Sequence, residues 1–224
     1  SGSEKTTLLS LLSGLDKPTS GRVFLQEKDI TDKSEDDLAQ LRKNMIGFVF
    51  QSFHLIPSLT AIENIMFPAE LKHDPAAREK AKHLLQRMGL DKRSTNFPHQ
   101  LSGGMRQRAM IAMAMANDPA LLIADEPTTA LDVTVQAQVL DIINELRADT
   151  GAAIVLITHD MGVVANLADR VYVMKDGRYV EEGDVETIFH APKTDYARML
   201  LEAAPRIDQA DRAGPGGPPR GTLG

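Results

Sequence analysis

Two carboxylates stand side by side at the end of an apolar run, in Ala120-Leu121-Leu122-Ile123-Ala124-Asp125-Glu126-Pro127. A strand buried on both faces reads as continuous apolar sequence, and open α/β sheets bind ligands at the carboxyl ends of their strands. Asp125 can hold Mg²⁺ there, directly or through water, and Glu126 can orient and deprotonate an attacking water. A plain polar exit from a strand would carry the same three residues. A second constellation opens the chain: Ser1-Gly2-Ser3-Glu4-Lys5-Thr6-Thr7, ahead of the apolar helix start Leu8-Leu9. Lys5 and Thr6 fit the end of a phosphate-binding loop, Gly-x4-Gly-Lys-[Ser/Thr], in which lysine reaches the β/γ-phosphates and the hydroxyl reaches Mg²⁺. Glu4 does not fit. It puts a Cβ and a negative charge where glycine lets the backbone close on phosphate. The loop's first glycine and the strand that feeds it are also missing, so the sequence reads as one that starts inside the motif. The third constellation is Leu101-Ser102-Gly103-Gly104-Met105-Arg106-Gln107-Arg108, where a serine and two glycine amides meet the entrance of an apolar helix. Such an entrance binds anions. A plain serine cap explains the helix start but neither the second glycine nor the two arginines.

The elements that must position these residues alternate between strand and helix, the pattern of a parallel sheet covered by helices. The sequence predicts strands at Ile46–Phe50, Leu121–Ala124, Ala153–Ile157 and Val171–Met174. From Leu131 to Thr150, Val135, Val139, Ile142, Ile143 and Leu146 recur at helical spacing behind a possible Asp132 cap, completing a βαβ unit from Leu121 to Ile157. From Ser52 to Asn117 no strand is predicted, but helices are, around Ala76–Met88 and Gly104–Ala116, which suggests a helical lobe inserted into an α/β core. Ser34-Glu35-Asp36-Asp37 reads as a helix cap and first turn. The stretch Pro205–Gly224 holds five Gly and four Pro without apolar periodicity, and is expected to be a disordered tail.

Composition narrows the function. Over 224 residues, 42% are hydrophobic and 25% charged, an ordinary globular balance. The formal net charge of -6 argues against a nucleic-acid partner. With no cysteine, thiolate metal sites, disulfides and cysteine nucleophiles are excluded. The longest apolar run, Ala109 to Ala116, spans eight residues, short of the ~18 needed to cross a bilayer. The polar opening residues show no cleavage pattern, and no leader is expected. His54, His73, His83, His99 and His190 lack ligand spacing. Met105, Met110, Met113 and Met115 read as helix packing.

Taken in order, Lys5-Thr6-Thr7, Gln51 after the Ile46–Phe50 strand, Leu101-Ser102-Gly103-Gly104-Met105-Arg106-Gln107-Arg108, Asp125-Glu126-Pro127, Ala130-Leu131-Asp132 and Ile157-Thr158-His159-Asp160 resemble the nucleotide-binding subunit of ABC transporters. The resemblance covers about Ser1–Pro205. It implies a P-loop NTPase (RecA-like) α/β core with a parallel sheet, here N-terminally truncated, carrying an inserted helical subdomain. The core would be 1–51 and 117–204, the helical subdomain 52–116 and the tail 205–224. It implies ATP and Mg²⁺ as cofactors. Ser1, Gly2, Ser3, Lys5, Thr6 and Thr7 would hold the phosphates, with Thr6, Gln51 and Asp125 on Mg²⁺. Gln51 would also sense the attacking water and link to the membrane partner. Glu126 would be the general base, and His159 would reach the γ-phosphate. Ser102, Gly103 and Gly104 would contact the γ-phosphate bound by an opposite subunit, with Asp132 at the dimer interface. The implied partners are a second nucleotide-binding subunit, in a homo- or heterodimer, and transmembrane permease subunits; the implied place is the cytoplasmic face of the membrane.

The two halves resemble different branches. Phe48 to Ile65 is similar to lipoprotein-release and macrolide-export subunits. The segments from Leu101 onward, including Leu131 to Gln138, His159 to Ala165 and Ile188-Phe189-His190-Ala191-Pro192, are similar to dipeptide and oligopeptide importers. The longer match favours peptide import. Two readings stand beside an ATP-hydrolysing transport subunit. One is a non-hydrolysing partner module whose loop is impaired by Glu4. The other is an ABC ATPase of translation or DNA repair, which would bring tandem cassettes or long coiled coils.

Overall fold

The computed structural model describes residues 2–50, 54–129 and 131–203, without the side chains at 2–4 and 6. The expectations for Ser1, Gln51, Ala130 and the 205–224 tail lie outside the described residues. In chain order the elements are α1 (Gly2–Leu12), β1 (Phe24–Leu25), β2 (Lys28–Asp29), α2 (Glu35–Met45), β3 (Ile46–Val49), α3 (Ala61–Glu70), α4 (Ala77–Arg87), α5 (Gly103–Met115), β4 (Leu121–Asp125), α6 (Val133–Thr150), β5 (Ala153–Ile157), α7 (Met161–Leu167), β6 (Arg170–Lys175), β7 (Arg178–Asp184), α8 (Val185–His190) and α9 (Asp195–Ala203). Two compact units emerge. One comprises residues up to 159 with 174–178; the other comprises 160–173 and the chain from 179.

The first unit is organised by a parallel sheet in the order β3-β4-β5, with Ile46 opposite Leu121 and Leu121 opposite Ala153. Side chains alternate across its faces, as the twofold period of a strand requires. Leu122 and Ala124 pack with Val139, Ile143 and Leu146 of α6 and with the buried residues of α3, α4 and α5. Ile123, between them, packs on the opposite face with Leu9, Ile30 and Leu38. Both faces are therefore covered. Each fully buried side chain of this size contributes about 1.5–3 kcal/mol, which is why β4, the central strand, is apolar throughout until Asp125. Gly47 of β3 lets α5 come close: a Cβ there would sit 2.5 Å from the Ala114 carbonyl oxygen.

Local chemistry fixes where these elements begin and end. Ser34 caps α2 by accepting the Asp37 N–H at 3.2 Å, and Glu35, Asp36 and Asp37 fill the first turn with Arg42 and Lys43 in the last. That charge order suits the helix dipole. Asp132 caps α6 through the Val135 N–H at 2.9 Å, as anticipated, and Gly151 closes the helix at φ +67°, where a side chain would be strained.

The predicted strands are present with small shifts. β3 stops at Val49, one residue before Phe50, while β4 runs one residue further to end on Asp125 itself. The βαβ unit from Leu121 to Ile157 forms as expected. Helices α4 and α5 match the predicted runs to within a residue or two, and no strand occurs among the described residues of 52–117. One departure concerns the chain's start. Helix α1 begins at Gly2 rather than near Leu8, so residues 2–7 are helical instead of looped. Glu4, in place of the loop's second glycine, and Lys5 beside it are good helix formers, so no glycine stands directly before Lys5 to break the helix.

In the second unit, α7 is capped by Asp160, which accepts the Gly162 N–H at 2.8 Å. Val173, Ile188 and Ala197 form a small core. Buried Glu181 on β7 accepts the Lys193 N–H at 2.7 Å, the Thr194 N–H at 2.9 Å and the Thr194 hydroxyl at 2.6 Å, tying the strand to the start of α9. Among the described residues, no helix is long and apolar enough to cross a membrane.

Candidate active site

Three segments of the first unit bring their reactive residues to one edge of the sheet. Strand β4 ends on Asp125. Glu126 follows, with its N–H donated to the Ile157 carbonyl at 2.8 Å and its backbone at φ +47°. That conformation is uncommon outside glycine, and turns of this kind concentrate at functional sites. His159 lies two residues beyond the end of β5. Lys5 comes from α1, which packs on the sheet through Leu9.

The side chains converge on Glu126. Lys5 Nζ donates to Glu126 Oε1 at 2.6 Å, and His159 Nδ1 lies 3.4 Å from the same oxygen. The Thr129 hydroxyl donates to Glu126 Oε2 at 3.0 Å. Glu126 is sheltered, with its side chain 13% exposed. The hydrogen bond from Lys5 is the main influence holding its carboxyl below the ordinary glutamate value, outweighing burial, which acts the other way. Asp125 shows the opposite balance. Burial pushes its pKa up, and the neighbouring Glu126 charge adds to the rise against the pull of Lys5. A sheltered carboxylate with a disfavoured charge is stabilised by a nearby cation, so Asp125 fits a Mg²⁺ ligand. No cluster of three or more acidic or histidine ligands exists among the described residues.

The structure thus unites Lys5, Asp125, Glu126 and His159. It places Ser102, Gly103 and Gly104 elsewhere, at the start of α5. There Ser102 is exposed and caps the helix by accepting the Met105 N–H at 3.3 Å. Gly104 has a packing reason of its own: a Cβ would meet Val135 Cγ1 of α6 at 2.3 Å. Asp132 sits at the opposite end of the turn that follows Glu126, as the α6 cap. Thr7 is exposed; Gly2 and Ser3 are helical in backbone. The side chain of Thr6, and all of Ser1 and Gln51, lie outside the described residues. Thr129 is the functional candidate that the sequence reading missed. A threonine three residues after a motif glutamate, behind a proline, is the one signal that could have found it.

Residues 1–129 match the family described as "ABC transporter", more than half of the chain. The chain belongs to this family. ABC membership agrees with the order and spacing of the motifs, and a second family description, "Oligopeptide/dipeptide transporter, C-terminal region", matches residues 180–222. Among curated ABC relatives, the oligopeptide transport ATP-binding protein OppD of Lactococcus lactis subsp. cremoris is 46% identical over 225 residues, covering 93% of this chain and 65% of that protein. The methionine import ATP-binding protein MetN of Corynebacterium glutamicum is 44% identical over 208 residues, covering 92% of this chain and 58% of the relative. The chain therefore spans less than two thirds of the length of these ABC relatives. The ATP-binding cassette MJ0796, solved as a dimer in a post-hydrolysis state bound to ADP and Pi, superposes with a TM-score of 0.74 at 37% identity, covering 82% of each chain. The expected α/β cassette fold with a parallel sheet is borne out, and the importer-like C-terminal resemblance is matched by the second family description.

Proposed function

We propose that this chain is the ATP-binding and ATP-hydrolysing subunit of an ABC transporter that energises peptide import. The observation that carries the reading is the convergence of Lys5, Asp125, Glu126 and His159 at the carboxyl edge of the sheet. The oligopeptide C-terminal match and the OppD and MetN relatives support import of peptides or related small molecules.

In this reading Lys5 Nζ, which gives one of its three donors to Glu126 Oε1 at 2.6 Å, offers the others to the β- and γ-phosphate oxygens of ATP. Thr6, Thr7 and the Ser1–Ser3 backbone complete the phosphate cradle. Asp125, with Thr6 and Gln51, would hold Mg²⁺, which neutralises phosphate charge. Glu126 is the carboxylate that meets the attacking water. As that water's oxygen bonds to the γ-phosphorus, its proton passes to Glu126, the bond to the ADP oxygen breaks, and ADP leaves with the electron pair. His159 lies beside the same carboxylate and reaches the γ-phosphate. Ser102, Gly103 and Gly104 serve the γ-phosphate of a second nucleotide-binding subunit, with Asp132 at that interface. Permease subunits place the pair at the cytoplasmic face of the membrane. Residues 1–51 and 117–204 act as the ATP-binding core and 52–116 as the helical subdomain.

Replacing Glu126 with glutamine tests the central assignment. Glu126→Gln is expected to lower steady-state ATP hydrolysis by about 100-fold or more, the range for loss of a general base, with nucleotide affinity retained. A variant that hydrolyses at the wild-type rate rejects the role.

A further inference from the structure

We propose that Thr129 is a positioning residue for hydrolysis, holding the Glu126 carboxylate in the orientation that accepts the proton of the attacking water. The proposal rests on the reading of Glu126 as the general base. The two oxygens of Glu126 are used differently. Oε1 faces Lys5 and His159, at 2.6 and 3.4 Å, whereas Oε2 accepts the Thr129 hydroxyl at 3.0 Å. The bond from Lys5 is shared with phosphate once nucleotide arrives. The bond from Thr129 is local: its own N–H donates to the Glu126 carbonyl at 3.3 Å, in the tight turn that leaves β4. Backbone and hydroxyl together therefore tether the base from within its own turn. Oε2 is held from within the turn, and Oε1 faces Lys5 and His159.

Burial separates this role from packing. Thr128 is buried at 5% exposure, whereas Thr129 is exposed, so its side chain fills no core space. What its hydroxyl contributes is direction. A glutamate side chain has three rotatable torsions, and misplacing a reacting group by about 1 Å costs on the order of 100-fold in rate.

The test is kcat and KM for MgATP hydrolysis by wild type, Thr129→Val, Thr129→Ser and Glu126→Gln, with thermal melting of each. Valine keeps the shape and deletes the hydroxyl; serine keeps the hydroxyl. Thr129→Val is expected to lower kcat by about tenfold to 100-fold, with KM within about twofold of wild type, the mark of an interaction used in the transition state rather than in binding. Thr129→Ser is expected to recover most of the rate. An inactive Glu126→Gln beside a Thr129→Val of undiminished kcat overturns the proposal and leaves the base in place. A Thr129→Ser as slow as Thr129→Val, or a rate loss matched by a fall in melting temperature, also overturns it. Hydrolysis that is absent in wild type, or undiminished in Glu126→Gln, removes the base and Thr129 together.

Discussion

Lys5 lies 2.6 Å from Glu126 and is the cation that the proposed reading offers to phosphate, so the residue beside Lys5 bears on how well phosphate binds. That residue is Glu4, one position ahead of Lys5 in the first turns of α1. A carboxylate about 4 Å from a phosphate charge is repelled by ~1 kcal/mol in water and ~4 kcal/mol at an effective dielectric near 20. Each ~1.4 kcal/mol is tenfold in affinity. Glu4→Gly also lowers the helix propensity of this turn, freeing the backbone to close on phosphate. The variant is expected to bind an ATP analogue about tenfold or more tightly, measured by titration of a labelled nucleotide. Equal affinities mean that glutamate is tolerated there, and the reading of this chain as a non-hydrolysing partner loses its support. Asp125, Glu126 and His159 were legible in the sequence because their motifs carry them at fixed offsets from apolar strands. Thr129 was not, since threonine is ordinary in a turn and only the folded carboxylate shows what its hydroxyl meets.

Elements depend on closeness that the sequence states only as glycine. Gly104 brings the start of α5 against α6, where an added Cβ would lie 2.3 Å from Val135 Cγ1. Gly104→Ala is expected to destabilise the protein by about 1–3 kcal/mol in chemical denaturation, and Val135→Ala in the same chain should recover most of it. Gly47→Ala should have no such rescue, because the obstacle is the Ala114 carbonyl, a backbone atom 2.5 Å away. In the second unit, Glu181 offers a pH test. The backbone N–H of Lys193, then the Thr194 hydroxyl, lower its carboxyl pKa from the ordinary 4.5. A depressed carboxyl stabilises the fold in full above the unfolded value and loses that contribution as pH falls through the folded one. Glu181→Gln should therefore melt below wild type at neutral pH, with the difference shrinking as pH drops below 4.5; a gap that persists at strongly acid pH refutes this. The sheet strands were legible because burial on both faces leaves continuous apolar runs. The two-residue strands β1 and β2 offered no such run. Helix α3 was obscured by Pro68 near its end, although Thr60 and Glu63 already spelled its start: the Glu63 carboxylate accepts both the Thr60 N–H at 2.7 Å and its hydroxyl at 2.6 Å.

At the scale of the whole molecule the proposed reading divides the site, because Lys5 and Glu126 share one sheet edge while Ser102 caps α5 elsewhere. A similar cassette is solved as a dimer bound to ADP and Pi, and the proposed reading has a partner's phosphate meet the start of α5. That helix end has no acidic residue in its first turn, and its dipole favours an anion. Ser102→Arg places bulk at this entrance and a long cation across it. Losing the cap on the Met105 N–H costs about 1 kcal/mol, which leaves the monomer folded, and Lys5 and Glu126 are untouched. In a Glu126→Gln background, where ATP is held unhydrolysed, the chain with Ser102 is expected to dimerise on adding ATP and the Ser102→Arg chain to remain monomeric. Nucleotide affinity of the monomer should be unchanged. Ser102→Ala is the control: it loses the same cap but adds no bulk, and it should still dimerise. Size-exclusion chromatography with light scattering reads the outcome, and an ATP-dependent dimer of undiminished strength in Ser102→Arg would exclude the α5 entrance from the interface.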